Sequence, residues 1–225
     1  MTEKSRKRLL PRLRRTALSA ALVTIAFAGA GTGFLAPASA QAAASEAAQE
    51  IASHFSSVRT MSGEFVQFGP SGEQTGGQFF IERPGRIRFD YEAPSNFKVI
   101  ADGKSVVINN PKLKTWDLYS LSQTPLKLLL DEQIDLSGSK VTNVREEADL
   151  TTITLADKSV FGNSTITMMF DPATKDLRQW TITDAQGKDT TVMIFNVKQG
   201  VSIDPGKFAI DYAKVAKSTE IHSNK

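Results

Sequence analysis

The sequence predicts a mainly β protein with few helices, built on one antiparallel sheet that curls or closes. Short strand-like segments follow one another between residues 65 and 197, and turn sequences such as Asp102-Gly103 and Gln186-Gly187 separate them. A sheet of about ten antiparallel strands tends to curl instead of staying flat. No internal repeat or linker divides the chain, so residues 41–225 are predicted to form a single domain.

Residues 1–40 have the pattern of a secretory signal peptide. Seven Lys or Arg residues lie between Lys4 and Arg15, an apolar run follows from Ala17 to Leu35, and residues 38–40 (ASA) fit the A-x-A cleavage pattern. The apolar run is near the minimum length of a membrane span, but its glycines and the cleavage pattern favour removal. Arg14-Arg15 leaves both general and twin-arginine export open.

Cleavage after Ala40 changes the charge of the protein. The whole chain has 27 basic and 24 acidic residues, whereas the part after Ala40 has 20 and 23, a net charge of −3. No nucleic-acid partner is expected, because such binding requires a basic surface. The chain has no cysteine, which excludes disulfides, thiolate catalysis and a cysteine-linked lipid anchor. We expect a soluble monomer.

The first predicted element is a helix over residues 44–58, with Ser45 as its N-cap. Its single apolar face follows the 3.6-residue period and comprises Ala48, Ile51, Ala52 and Phe55. A helix with one apolar face should lie on another element.

Ten strands are predicted next. The first five are Phe65–Phe68, Gln78–Arg83, Arg86–Tyr91, Phe97–Ala101 and Ser105–Asn109. The last five are Lys140–Val144, Thr151–Ala156, Thr165–Phe170, Leu177–Thr183 and Thr190–Val197. Residues 86–91 alternate most cleanly, which indicates one dry and one wet face.

The strand pattern breaks between Asn110 and Asp131. Thr124-Pro125 is typical of an N-cap followed by the first helical position. A short, very apolar helix is predicted there, with Leu126, Leu128, Leu129 and Leu130. Residues 208–210 (FAI) are the last apolar candidate, and the tail beyond them is polar.

The residues do not predict an enzyme. His54 and His222 are far apart in sequence, and no hydrolase, zinc-protease or nucleotide-binding motif occurs. Acidic pairs such as Glu146-Glu147 flank turns, where solvated charges are the ordinary interpretation. No catalytic residue, metal ligand or cofactor is therefore predicted, and a binding protein fits better.

One face of the curled sheet is a candidate binding wall. Strand alternation places on it Phe65, Phe79, Ile81, Ile87, Phe89, Tyr91, Phe97 and Val99. These residues fit either an ordinary core or a cavity. Arg83 falls on the face of Phe79 and Ile81, so it must reach solvent or find acceptors such as the carbonyl groups of a covering helix.

Several motifs in their order resemble the periplasmic lipoprotein carrier family, LolA-like. They are residues 63–67 (GEFVQ), 77–84 (GQFFIERP), 89–94 (FDYEAP), 100–104 (IADGK), 110–111 (NP) and 124–126 (TPL). The resemblance runs from about Ala44 to Asp131 and continues more loosely to Phe208. The lack of cysteine agrees with the carrier and not with its lipid-anchored receptor relatives.

The resemblance implies an incomplete barrel of about eleven strands, with a short-helix lid over an apolar cavity. It implies that Arg83 holds the lid shut, and that Leu126, Leu129 and Leu130 belong to the lid. It further implies a periplasmic carrier of acylated lipoproteins, which takes them from an inner-membrane transporter and gives them to an outer-membrane receptor. A lipid or glycolipid carrier, or a lipoprotein sensor, is the alternative on the same fold. A hydrolase would need a nucleophile and base that the sequence does not supply.

We predict that export removes residues 1–40. Amino-terminal sequencing of the protein exported by a bacterial host should begin at Gln41, because signal peptidase cleaves after small residues at positions −3 and −1. Ala38→Arg should block this cleavage, whereas Thr16→Ser should not. Exported protein that retains its amino terminus would contradict the prediction.

Overall fold

The computed structural model describes residues 45–136 and 140–223 of the 225-residue chain. The predicted signal peptide lies outside these residues.

The described residues form eleven strands and four α-helices. The strands are β1 (Thr60–Phe68), β2 (Gln74–Glu82), β3 (Arg86–Tyr91), β4 (Lys98–Asp102), β5 (Ser105–Asn110), β6 (Thr115–Ser120), β7 (Val141–Glu146), β8 (Thr151–Ala156), β9 (Thr165–Phe170), β10 (Leu177–Thr183) and β11 (Asp189–Gln199). The helices are α1 (Glu46–Ser57), α2 (Leu126–Leu129), α3 (Lys158–Phe161) and α4 (Tyr212–Ser223), with 3₁₀ turns at Leu121–Gln123 and Pro205–Phe208.

All the strands belong to one sheet, in the order β6-β5-β4-β3-β2-β1-β11-β10-β9-β8-β7. Neighbouring strands are antiparallel throughout. The strands β6 and β7 lie at its two ends, so hydrogen bonds do not close the described sheet. The predicted incomplete antiparallel barrel of about eleven strands is confirmed.

Helix α1 forms for the reasons that the sequence indicated. The Ser45 hydroxyl accepts a hydrogen bond from the Ala48 amide at 3.1 Å, which satisfies one of the free donors of the first turn. The four residues of the apolar face are all buried. The helix ends at Ser57 because Val58 is extended, with φ −75° and ψ 98°.

The start of α2 differs from the prediction. The Thr124 hydroxyl donates to the Leu121 carbonyl at 3.0 Å, so Thr124 completes the preceding 3₁₀ turn and does not cap α2. Pro125 is already in the helical region, with φ −58° and ψ −21°. Its fixed φ begins the helix without a side-chain cap.

Strand β6 was not recognised in the sequence. Residues 115–118 alternate between polar and apolar types, but this run is short. None of the residues of β6 is fully buried, and the last four, Asp117–Ser120, are exposed. An edge strand needs only one partner, and β5 supplies its hydrogen bonds.

The carboxyl-terminal segment takes a form that the sequence did not indicate. Phe208, the first of the apolar residues 208–210, ends a 3₁₀ turn, which Pro205 starts and whose Gly206 amide donates to Asp204 at 2.9 Å. Helix α4 follows in the polar tail, where no helix was predicted.

This carboxyl-terminal segment covers the outer face of the sheet. Ala101 and Val106 face the main core. Their neighbours Ile100 and Val107 point to the other face of the sheet, and yet they are only 5% and 0% exposed. The 3₁₀ turn lies against β3 and β4, and α4 lies against β6. Phe208 is itself 2% exposed. The sheet therefore has two buried faces in this half.

Polar contacts hold the segment in place. Arg88 Nη1 donates to the Lys207 carbonyl at 2.9 Å, and the Tyr212 hydroxyl donates to Asp102 Oδ2 at 2.8 Å. The Trp116 amide, on the edge strand, donates to Ser218 Oγ at 3.2 Å. The last bond satisfies a backbone donor that an edge strand would otherwise present to solvent.

We predict that Phe208→Ala lowers the free energy of unfolding by about 3 kcal/mol, because truncating a buried phenylalanine removes apolar contacts and leaves a cavity. Urea denaturation of the two proteins measures this difference. Leu113→Ala is the control, since Leu113 is 70% exposed, and its effect should stay within about 0.5 kcal/mol. Equal effects of the two substitutions would show that the segment does not contribute to stability.

Candidate functional site

The inner face of β1–β4 carries the predicted apolar wall. Phe65, Phe79, Ile81, Ile87 and Phe89 are buried, with exposed fractions of 5% or less. Tyr91, Phe97 and Val99 are half-buried. The register explains why they share a face, since Phe79 lies opposite Phe89 and Phe89 lies opposite Val99 on adjacent strands.

Aromatic rings contact one another along this wall. The Phe65 ring lies edge-on to Phe89 and to Tyr91, with centroid distances of 4.8 and 4.9 Å. Tyr91 and Phe65 belong to strands separated by β2, where Gly77 lies between them in the register. A Cβ on Gly77 would lie 2.0 Å from the Asp90 carbonyl oxygen. Glycine at this position therefore lets the two rings meet across the strand.

Tyr91 keeps a polar contact at the end of the wall. Its hydroxyl donates to Gln67 Oε1 at 2.6 Å. Burial raises the pKa of Tyr91 to about 12, against a smaller opposing effect of the Gln67 hydrogen bond. The phenol therefore stays neutral at physiological pH.

The later strands supply the opposite side of the interior. Their buried inner residues were not assigned in the sequence and include Ile153, Ile166, Met168, Phe170, Trp180 and Val192. The ring of Trp180 lies 6.1 Å from that of Phe89, so the two halves meet in the middle of the protein. Strand alternation alone could have located these residues, but it could not decide which face was inner.

Helices α1 and α2 cover the apolar interior. Phe55 of α1 contacts Phe170 edge-on, with a centroid distance of 5.2 Å. Leu129 and Leu130 are fully buried and Leu126 is half-buried against the same cluster. The Gly85 amide donates to the Leu130 carbonyl at 2.9 Å, which ties the end of α2 to the turn between β2 and β3.

Arg83 joins both helices to the sheet. It follows β2 directly, is 5% exposed, and lies with its guanidinium carbon 3.8 Å from the centroid of the Phe55 ring. Nη1 donates to the carbonyls of Phe55 and Val58 at 2.7 Å each. Nε donates to the Leu129 carbonyl at 3.3 Å. One guanidinium thus contacts the end of α1 and the end of α2.

The acceptors of Arg83 are backbone carbonyls at helix ends. Carbonyls at a helix end lack the usual i+4 amide partner and carry partial negative charge. The Phe55 carbonyl also accepts the Val58 amide at 3.3 Å. Burial, with a smaller contribution from the positive charge of Arg59, lowers the pKa of Arg83 to about 10. The guanidinium therefore stays charged at neutral pH. Burying this charge carries a desolvation free energy, which its hydrogen bonds must offset.

Two clefts flank α1 on the surface. One, of about 520 Å³, reaches the buried residues Met61, Leu177 and Ile194. The other, of about 550 Å³, lies between α1 and residues 132–136. Both clefts border the helix that Arg83 holds.

The described residues contain no group of three or more His, Cys, Asp or Glu residues that could hold a metal ion. His54 Nε2 lies 4.0 Å from Asp176 Oδ1 at the surface. Within the same ranges, no helix is long and apolar enough to cross a membrane.

Comparison with known proteins gives related sequences. The outer-membrane lipoprotein carrier protein of Pseudomonas entomophila (strain L48) is 29% identical over 157 residues, covering 66% of this chain and 73% of that protein. The protein of the same description from Pseudomonas aeruginosa (strain PAO1) is 26% identical over 181 residues, covering 74% and 84%.

The solved structures that match this chain have lower sequence identity to it than the carrier proteins above. A LolA superfamily protein from Nitrosomonas europaea has a TM-score of 0.40 and 11% identity, covering 73% of this chain and 98% of that one. The complex of MucA and MucB from Pseudomonas aeruginosa has a TM-score of 0.42 and 12% identity, and the match covers 73% of this chain and 60% of that one. At these scores the similarity adds nothing to the fold described above.

A family match covers most of the chain. Residues 56–211 match the family described as "Outer membrane lipoprotein carrier protein LolA". The matched range contains the whole sheet, Arg83, its acceptors Val58 and Leu129, and α2, and it begins one residue after Phe55. The chain therefore belongs to the LolA family of outer membrane lipoprotein carrier proteins.

Proposed function

We propose that this protein is a periplasmic carrier that binds the acyl chains of lipoproteins in the apolar interior of its sheet and takes them from the inner to the outer membrane. The observation that carries the proposal is the set of three hydrogen bonds from Arg83 to the ends of α1 and α2. Through them, the guanidinium of the residue that follows β2 holds both covering helices, which together form the proposed lid. Family membership supports the choice of cargo.

The interior provides the chemistry that acyl chains require. Exposing a chain to water costs about 0.8 kcal/mol per CH₂ group, and a wall of Phe, Ile, Leu and Met side chains removes that cost. In the described structure these side chains contact one another, with ring distances of 4.8 to 6.4 Å. Acyl chains therefore enter only when α1 and α2 move away from the sheet.

The lid makes binding reversible. Opening breaks the three hydrogen bonds of Arg83, and each bond to a charged donor contributes about 1.5–3 kcal/mol. This cost opposes the gain from burying acyl chains, so the loaded protein holds its cargo less tightly than the apolar wall alone would. Arg83 acts in this scheme as the latch, and Leu126, Leu129 and Leu130 move with the lid.

The proposed partners follow from this route. An inner-membrane lipoprotein-releasing transporter supplies the cargo, and an outer-membrane receptor lipoprotein accepts it. Cleavage after Ala40 leaves the carrier free in the periplasm.

Native mass spectrometry of the protein purified from the periplasm tests the cargo. Bound lipoprotein or acylated peptide supports the proposal. Bound free phospholipid or glycolipid favours the alternative, a lipid carrier on the same fold. Protein that never carries an acylated molecule, even when co-expressed with a lipoprotein, contradicts the proposal.

We predict that Arg83→Leu opens the lid. Hydrogen exchange of the amides in α1 and α2 should become at least tenfold faster, because the loss of even one such hydrogen bond corresponds to about a tenfold change in equilibrium. Amides in the centre of β1 and β11 serve as the internal reference. Arg86→Leu is the matched control, since its 2.8 Å ion pair with Glu82 lies at the surface. Unchanged hydrogen exchange in α1 and α2 would contradict the role of Arg83 as a latch.

We further predict that Arg83→Leu loads lipoprotein but releases it poorly. Without the hydrogen bonds of the closed state, the free energy gained from burying acyl chains is no longer opposed. A transfer assay from the loaded carrier to outer-membrane vesicles measures the release, and Arg86→Leu should transfer at the normal rate. Normal transfer by Arg83→Leu would contradict the proposed mechanism.

A further inference from the structure

One nitrogen of the Arg83 guanidinium has no hydrogen-bond partner among residues 45–136 and 140–223. Nη1 and Nε bond to three backbone carbonyls, but within the described residues nothing accepts from the buried Nη2. An unpartnered buried donor on a charged group is costly and rare in native proteins. The closed state therefore leaves part of this cation unsatisfied.

In the proposed open state, more of the N–H donors of Arg83 lack an acceptor. When α1 and α2 move away, the guanidinium loses the carbonyls of Phe55, Val58 and Leu129. Arg83 follows Ile81 and Phe79 on the inner face, whose side chains are fully buried. Acyl chains that fill this region exclude water from it, so Arg83 needs acceptors that the cargo itself must bring.

The cargo has only a few groups that can serve. Acyl chains have no acceptors along their length, but the linkage of each chain to glycerol has an ester carbonyl. A guanidinium presents its donors in a planar fork and binds such oxygens through two of its N–H groups. The wall next to Arg83 would then hold the first carbons of the chain.

We propose that Arg83 is also a cargo-binding residue, which recognises the acyl ester carbonyls once the lid is open. This inference rests on the proposed function and adds the chemical group that the site selects. Arg83 thereby replaces part of its three hydrogen bonds to the protein with hydrogen bonds to the ligand, so opening still carries a net cost. A hydrocarbon chain without such a linkage cannot take part in the exchange.

A matched pair of ligands tests the inference. The probes are two synthetic diacylglyceryl-cysteine peptides with identical chains, one with ester and one with ether linkages, and their affinities are measured by fluorescence displacement. The wild-type protein should bind the ester about tenfold or more tightly than the ether, as one charge-assisted hydrogen bond predicts. Equal affinities for the two ligands in the wild-type protein overturn the inference.

Variants separate ester recognition from the latch. Loss of the latch changes the affinities for the ester and the ether ligand by the same factor. Loss of the carbonyl contact removes the difference between the two affinities. Arg83→Leu should bind ester and ether alike, and Arg83→Lys should keep part of the preference. Arg86→Gln should keep all of it. A preference that survives in Arg83→Leu also overturns the inference, and failure of the wild-type protein to bind either ligand overturns the proposed function with it.

Discussion

The structure depends on how a buried guanidinium finds acceptors at the boundary between a sheet and its covering helices. Arg83 is 5% exposed and lies beside an apolar interior, where an unpaired charge would be strongly destabilising. Carbonyls at the ends of α1 and α2 supply what it needs. The position of both helices over the sheet is thus linked to a single side chain. Displacing the helices costs hydrogen bonds as well as apolar contacts.

An unclosed sheet is compatible with the proposed opening of the lid. A closed barrel would fix its interior by hydrogen bonds on every strand, whereas here β6 and β7 end the sheet and the helices cover the interior. The interior is held together by apolar contacts, which are not directional. Side chains such as Phe89 and Trp180 can therefore exchange contacts with one another for contacts with a ligand at modest cost, while the ladder between β1 and β11 stays intact.

The outer face of the sheet has packing contacts that do not involve α1 or α2. Ile100 and Val107 are buried there beneath the 3₁₀ turn and α4, and Arg88 bonds to the Lys207 carbonyl. Strands β3–β6 thus have support that does not involve the lid. In the proposed opening, this support would keep the strands of the aromatic wall in place when α1 and α2 move away.

The sequence by itself determined most elements and the makeup of the wall, because alternation and helical period depend on local backbone geometry. Ile87, Phe89 and Tyr91 share a face for that reason, and Ser45 caps α1 as expected. The tertiary structure alone decided the rest. Strand β6 has no fully buried residue, because pairing with β5 and not burial makes it a strand. The partners of Arg83 are backbone carbonyls, which every residue has, so no residue type could mark Phe55, Val58 and Leu129 as acceptors before the chain brought them together.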